Sequence, residues 1–438
     1  VRILQNKTLQ INKEVNVSEK IKILTISDHP LSPSGVGTQT KYMIEGMLKT
    51  GKYKFISIAG AMQHKDYTVQ KVATPYSPPE DWVVHPVDNY GTQDLVRSLL
   101  RNERPDIIWI MTDPRFWTWL WHIEQEIRSL VPIIYYHVWD NYPFPTFNKR
   151  YYESNDFIAT ISKVTDDIVK NVAPTVESMY VPHAVDTEIF KKHTQEEIDN
   201  MRAEFFPDSK DKILFFWNNR NARRKQSGSL IFWFKEFLDI VGREKATLVM
   251  HTEIKDPHGQ NLEAIIEHLG LTNREVLFSE KKVPPEMLAK IYNAADCTIN
   301  ISDAEGFGLA TLESLSCETP IITSMTGGLQ EQVTDGENEF GVGIQPASKA
   351  IIGSQDIPWI YEDRLAQEDV INAFLKIYNM SKEDRENLGK KGREHVMKNY
   401  NFENYTNRWD KIFTRIHDEL GSWENRKNYK SWELKEVI

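Results

Sequence analysis

Apolar residues along this chain fall into short unbroken runs, separated by stretches whose apolar positions recur with helical spacing. The first run, Ile21–Ser27 (IKILTIS), has the continuous character of a strand buried on both faces of a parallel sheet. A loop rich in Pro, Ser and Gly follows from Pro30 to Thr38, and then a helical pattern passes through Met43, Met47 and Leu48. Further strand-like runs are Phe55–Ala59, Asp106–Met111, Ile133–His137, Phe157–Ile161 and Met179–Val181, with helical patterns between most of them. Strands alternating with helices predict a doubly wound parallel sheet.

The rhythm restarts after residue 211. Strands are predicted at Lys212–Trp217, Thr247–His251, Val276–Phe278, Cys297–Ile301 and Pro320–Thr323, with helices at Ser229–Val241, Asn261–Leu269, Pro285–Ala294 and from near Gly308. Helices at Glu368–Ile377, Lys382–Lys398 and Phe402–Leu420 close the chain. Two such series, broken at the charged and partly helical stretch Phe190–Ser209, predict two similar domains facing each other. Residues 1–190 form the first and residues 191–401 the second, with the segment 402–438 following them. Residues 1–19 read as an irregular or short hairpin extension. In open parallel sheets ligands sit at the carboxyl ends of the strands, and the chemically suggestive segments fall there.

A length of 438 residues with 40% hydrophobic and 26% charged residues fits a folded chain of two or three domains. The formal charge of -10 argues against broad nucleic-acid binding, which needs a basic surface, but leaves room for a local cationic cleft. Cys297 and Cys317 lack metal-site spacing and sit beside apolar segments, which predicts free buried thiols in a reducing, cytoplasmic setting. No apolar run reaches the roughly 18 residues of a membrane span, and no signal pattern opens the sequence. Peripheral membrane contact stays open.

Three segments carry candidate chemistry. In Glu305-Gly-Phe-Gly-Leu-Ala-Thr-Leu-Glu313, two acids flank a glycine turn that opens a helix. Gly306 and Gly308 allow close backbone approach to a ligand, and the free amides of a helix start suit an anion. Glu305 is placed to accept bonds from sugar hydroxyls and Glu313 to bind a ribose diol; two solvated acids around a turn is the alternative. In Asn218-Asn-Arg-Asn-Ala-Arg-Arg-Lys225, four cations (Arg220, Arg223, Arg224, Lys225) follow a strand end and can neutralise a diphosphate, or simply be solvated. Ser34-Gly-Val-Gly-Thr38 is a glycine loop after the first strand, which alone is no more than a tight turn.

Together these segments resemble the GT4-type retaining glycosyltransferases (glycosyl transferases group 1), which have the GT-B fold: two Rossmann-like domains across a cleft, with the C-terminal helix crossing back. The likeness runs from Ile21 to about Leu420. It rests above all on the two glutamates eight apart, Glu305 and Glu313, with Gly306, Phe307, Gly308 and Leu309 between them. It implies diphosphate contacts from Arg220 and Lys225 and from the loop of Gly35 and Gly37. It also implies a His near the transferred sugar at His137, and base contacts from Lys282 and Val283 before Pro284-Pro-Glu-Met-Leu288. Thr319-Pro-Ile-Ile322, Gly327-Gly-Leu-Gln-Glu331 and Val181-Pro-His-Ala-Val-Asp186 match further segments. Asn219 and Gln226 stand where glycines are usual in the phosphate loop, and Glu318 where a glycine usually precedes Thr-Pro.

The stretch from Trp109 to Tyr152 is dense in aromatic residues, which hold sugars or fill cores. Asp140 in Asp140-Asn-Tyr-Pro-Phe-Pro145, and Asp113 with Arg115, are expected on the acceptor side. The resemblance implies transfer of a hexose-type sugar with retention, from a UDP- or GDP-type donor, without metal or cofactor, to an acceptor hydroxyl on a saccharide, a lipid-linked saccharide or another molecule. A nucleotide-sugar epimerase, a non-catalytic sugar- or nucleotide-binding protein, and a transferase acting on modified DNA bases are the competing readings.

Overall fold

A computed structural model of the chain describes residues 19–209 and 211–430. The extension expected within residues 1–19 thus falls almost wholly outside the described residues, as does the end of the 402–438 segment. Strands β1 (Ile21–Asp28), β2 (Tyr53–Gly60), β3 (Gln70–Lys71), β4 (Trp82–Pro86), β5 (Ile107–Met111), β6 (Ile133–His137), β7 (Phe157–Thr160) and β8 (Ser178–Tyr180) form one sheet in the order β3-β4-β2-β1-β5-β6-β7-β8. All neighbours are parallel except the short edge strand β3, which runs antiparallel to β4. Ile23, Leu24 and Ile26 of β1 are fully buried, as their unbroken apolar run requires for a strand covered on both faces.

The second sheet comprises β9 (Ile213–Asn218), β10 (Ala246–His251), β11 (Val276–Ser279), β12 (Cys297–Asn300), β13 (Ile321–Ser324) and β14 (Gly341–Ile344), in the order β11-β10-β9-β12-β13-β14 and wholly parallel. A hairpin follows, β15 (Ser348–Ile352) against β16 (Ile360–Arg364). The chain between the sheets contains a helix, Gln195–Phe205, started by a capping box of Thr194 and Glu197.

The last helix, Phe402–Leu420, returns to the first domain. Its Trp409 and Phe413 are buried and stacked, and Trp409 meets Trp109 and Tyr136 at 5.8 and 5.0 Å between ring centres. Tyr53 donates a 2.7 Å hydrogen bond to Asp410 on that helix. One apolar core runs from Ile23 and Met43 through Trp409 to Phe307 and Leu312, so the two domains share packing as well as a boundary. Among the described residues no helix is long and apolar enough to cross a membrane.

Candidate active site

In the second sheet the strand order reverses between β9 and β12, and this is where an open parallel sheet leaves a crevice at its carboxyl edge. Both charged segments emerge there. After β9 the chain makes a short turn at Arg223–Lys225, passes Gln226 in a left-handed conformation (φ 58°) and enters the helix Ser227–Val241. After β12 it runs through Asp303 to Glu305, and Gly308 (φ 92°) starts the helix Leu309–Ser316. A side chain at Gly308 would need an unfavourable φ and would meet Leu329 at 2.4 Å, so glycine is required.

The two loops are stitched residue to residue. Arg224 donates to the Ala304 carbonyl, Lys225 donates to the Glu305 carboxylate, and Gln226 donates to Asp303 at 2.7 Å. The Lys225 and Glu305 side chains are only 9% and 13% exposed. Burial alone would raise the Glu305 carboxyl, but Lys225 and Arg224 outweigh it and hold it below its ordinary value. Burial lowers the Lys225 ammonium, with Glu305 opposing and Arg224 assisting. The Gly327–Gly328 turn supports this loop: Gly328 N–H donates to the Glu305 carbonyl at 3.0 Å, and a side chain at Gly327 would strike that carbonyl.

The first domain supplies the facing wall. At the end of β1, Asp28 accepts from Ser34 (2.6 Å) and Tyr90 (2.8 Å), and Ser34 caps the helix Gly35–Lys49 by accepting from Gly37 N–H. A Cβ at Gly35 would lie 3.2 Å from the Leu309 side chain, so the glycine allows the two helix starts to approach across the cleft. After β6, burial pushes the Asp140 carboxyl up to about 6; Arg224 and Lys225 pull it down, while Glu305 and Asp113 push it further up. Asp113 is held by a two-pronged bond from Arg115 (2.9 and 3.1 Å). These walls enclose a cleft of about 580 Å³.

Gly35, Asp113, Arg115, Asp140 and the run Glu305 to Leu309 all line this cleft, with Lys225 beneath Glu305. Five predicted residues stand elsewhere, and one sits just behind the wall. Arg220 is 60% exposed and bound to Asp256 at 2.5 Å, outside the lining; Arg224 lines the cleft in its place. Gly37 lies inside the capped helix turn, where a side chain would strike Ser32 and the His29 carbonyl. His137 is fully buried among rings, bonds Tyr152 at 2.8 Å, and is pushed down to about 3 by burial, so it is a neutral core histidine. Lys282 and Val283 occupy the loop after the edge strand β11, Lys282 exposed and Val283 half-buried. Glu313 accepts from Tyr292 (2.9 Å), which accepts from Asn218 of the cleft wall (2.9 Å); burial pushes Glu313 up to about 7.

The structure adds residues that the spacing did not single out. His183, inside the segment Val181–Asp186, lines the cleft, bonds Tyr136 at 2.7 Å and meets Phe307 edge-on. Glu362 comes from the hairpin β15–β16, is bound by Arg223 and Arg364, and also lines the cleft. The same hairpin is joined to the first domain through Tyr361, which donates to the Tyr142 carbonyl (2.5 Å) and accepts from Asn141 (2.8 Å). The signal for His183 was the segment itself. The hairpin's polar, irregular pattern gave none.

Residues 198–395 match the family model described as glycosyl transferases group 1. Among curated proteins, D-inositol 3-phosphate glycosyltransferase of Corynebacterium jeikeium is 30% identical over 184 residues, 41% of this chain and 43% of that protein. The enzyme of the same name from Acidothermus cellulolyticus is 40% identical over 92 residues, 21% of this chain and 20% of that protein. The alignments thus span less than half the length of these relatives. Among solved structures, sucrose-phosphate synthase of Thermosynechococcus elongatus superposes with a TM-score of 0.71 at 18% identity, over 91% of this chain and 100% of that one. Anabaena HepE in complex with UDP-glucose gives 0.65 at 15%, over 90% and 99%. At such identities these structures speak to fold: two parallel-sheet domains of GT-B type with a returning C-terminal helix.

Proposed function

We propose that the chain, whose residues 198–395 match the glycosyl transferases group 1 family model and which has the GT-B fold, moves a hexose-type sugar from a nucleotide-diphosphate sugar to an acceptor hydroxyl, with retention and without a metal or cofactor. The support is one convergence: Lys225 and Arg224 after β9 meet Glu305 after β12 at the strand-order reversal, and Asp140 and Gly35 face them from the other domain. The solved HepE complex with UDP-glucose, a protein of the same fold, supports a nucleotide-sugar donor.

Departure of a nucleoside diphosphate builds negative charge on phosphate oxygens. Lys225, Arg224 and the exposed amides at the start of the helix Leu309–Ser316 are fixed before the reaction and offset that charge. Glu305 neutralises Lys225; a donor diphosphate would take over Lys225 and release Glu305 to orient the sugar hydroxyls. The acceptor hydroxyl attacks from the leaving-group face, and the departing phosphate accepts its proton. The ribose diol is assigned to Glu313, which lies behind the cleft wall and accepts from Tyr292. The acceptor is a saccharide, a lipid-linked saccharide or another hydroxyl compound entering beside Asp113, Arg115 and Trp139. The buried free thiols of Cys297 and Cys317 fit a cytoplasmic setting.

A thermal-shift screen across UDP, GDP, ADP and their sugars tests the donor, since a ligand at 100 times its Kd stabilises the fold by about 2.7 kcal/mol. NMR of the product then reads the anomeric configuration, with and without EDTA. Inversion, or loss of turnover in EDTA, would overturn those parts of the mechanism. Donor conversion without any acceptor would point to an epimerase instead.

A further inference from the structure

A second interdomain cavity, of about 420 Å³, shares no lining residue with the cleft. It forms where the helix Lys382–Asn399, the returning helix Phe402–Leu420 and the end of β8 meet. Lys163, Lys391, Lys398 and Arg408 line it, against two carboxylates, Asp335 and Glu394. None of these four cations forms an ion pair among the described residues, in a chain whose formal charge is -10 and whose other cations are mostly paired.

Two of the nearby acids, Asp335 and Glu331, are already engaged, and Glu394 lies between Lys391 and Lys398 on their helix. Asp335 accepts from the N–H groups of Glu337 and Asn338 (3.0 and 2.7 Å). Glu331 accepts from Tyr180 (2.5 Å) and from Lys163 N–H (2.8 Å), while the Lys163 ammonium, in no ion pair among the described residues, lowers the Glu331 carboxyl only from a distance. Lys391 and Lys398 lie seven apart on one helix, two turns on the same face. Arg408 rests 5.9 Å from the Tyr180 ring centre, and His395, stacked on Phe340, fills the floor.

The cations come from both domains. Lys163 opens the helix between β7 and β8 of the first sheet, and Arg408 sits on the helix docked to that domain. Lys391 and Lys398 sit on a helix packed against Leu315 and the Glu318 backbone of the second domain, through Gly392 and Gly389. We propose that this cavity binds a phosphate monoester across the two domains, separately from the donor site. Four converging cations with few competing acids match a doubly charged, multi-acceptor anion. Lys163, Lys391 and Lys398 are exposed and Arg408 is half-buried, and the volume of about 420 Å³ suits a small phosphate ester; a phosphomonoester lipid headgroup presents the same chemistry.

The test is calorimetric titration of the full-length chain with inorganic phosphate, in the wild type, Lys391→Gln/Lys398→Gln, Arg408→Gln and Arg224→Gln. Circular dichroism checks that each variant is folded. At least about tenfold weaker binding is expected in the first two variants, the scale of losing charged hydrogen bonds, with Arg224→Gln retaining the site. Equal binding in wild type and double variant, loss only in Arg224→Gln, or no binding by wild type at millimolar phosphate would each overturn it. Phosphatidic acid vesicles, whose headgroup is a phosphate monoester, identify the source. Sedimentation with vesicles that phosphate competes away, and that the double variant loses, assigns a headgroup; phosphate binding without sedimentation assigns a free ester.

Discussion

The two walls of the cleft solve different electrostatic problems. On the second-domain side, charges are held in pairs: Lys225 with Glu305 near full burial, and the exposed Arg223 and half-buried Arg364 with the buried Glu362. On the first-domain side, the acids lean on hydroxyls, on a backbone amide or on an adjacent arginine, as Asp28 does on Ser34 and Tyr90 and Asp113 does on Arg115. The cores differ too. Trp82, Trp109, Trp117, Tyr135, Tyr136 and Tyr152 are fully buried around the first sheet, where the aromatic-dense stretch turns out to be mostly core. A wall built of preformed ion pairs suits an anion that replaces one partner. The first-domain wall is richer in acids, with Asp28, Asp113 and Asp140 beside Trp139 and His183, and such carboxylates suit a hydroxyl-bearing molecule. Under the proposed function, the contrast would separate a donor half from an acceptor half.

The sharpest way to break that comparison is Lys225→Ala. Its loss should lower kcat/KM by about 10²–10³, the scale of removing one preorganised donor to developing charge. Glu305→Ala should also lower turnover and, by stranding a buried ammonium, cost about 3–5 kcal/mol in chemical denaturation. If both variants kept wild-type turnover, the donor half would be misassigned.

Asp140→Asn tests whether the first domain acts on the charged centre from across the cleft. A fall in kcat/KM of roughly 10–100-fold is expected, the scale of a hydrogen bond to a charged group. Wild-type kinetics would confine Asp140 to shaping the wall.

Glu313 predicts a pH dependence. Its carboxyl is raised from 4.5 to about 7 in the native protein, so the folded state holds the proton more tightly than the unfolded chain. Its contribution to stability is therefore greatest below about 4.5 and is lost as pH rises toward 7. Glu313→Gln should flatten that part of the stability profile in thermal melts, and should weaken donor binding most above pH 7, where the wild-type carboxylate accepts ribose hydroxyls. An unchanged profile would place Glu313 outside both roles.

The smallest effect is expected from Arg220→Ala. Its guanidinium is exposed and tied to Asp256, so kcat/KM should change by less than about fivefold, equivalent to an exposed ion pair of about 1 kcal/mol. A loss matching that of Lys225→Ala would mean that Arg220 swings into the cleft when donor binds.

How much of the site was legible depends on how local each signal was. Glu305, Gly308 and Lys225 were readable because each lies within a few residues of a strand end, and strand ends follow from unbroken apolar runs. His137 misled for the same reason. Its place at a strand end is fixed locally, but whether its ring faces the cleft or the core depends on Tyr152, fifteen residues away. Arg220 and Arg224 are chemically alike and four apart. Only the course of the turn, with Gln226 in the left-handed region, decides that Arg224 reaches Ala304 while Arg220 meets Asp256.

The sequence by itself determined two series of alternating strands and helices, a last long helix and the acid-flanked glycine turn, while the return of that helix was implied by the resemblance and is seen in the docking of Trp409 and Phe413. Hydrophobic periodicity and glycine conformation act over short stretches of chain and are written there directly. Only the tertiary structure decided which cations are consumed by partners, that the hairpin β15–β16 reaches the first domain, and that Lys163, Lys391, Lys398 and Arg408 share one cavity. Those outcomes depend on the distance between groups far apart in the chain, and charge pairing is fixed by that distance, which spacing along the sequence does not encode.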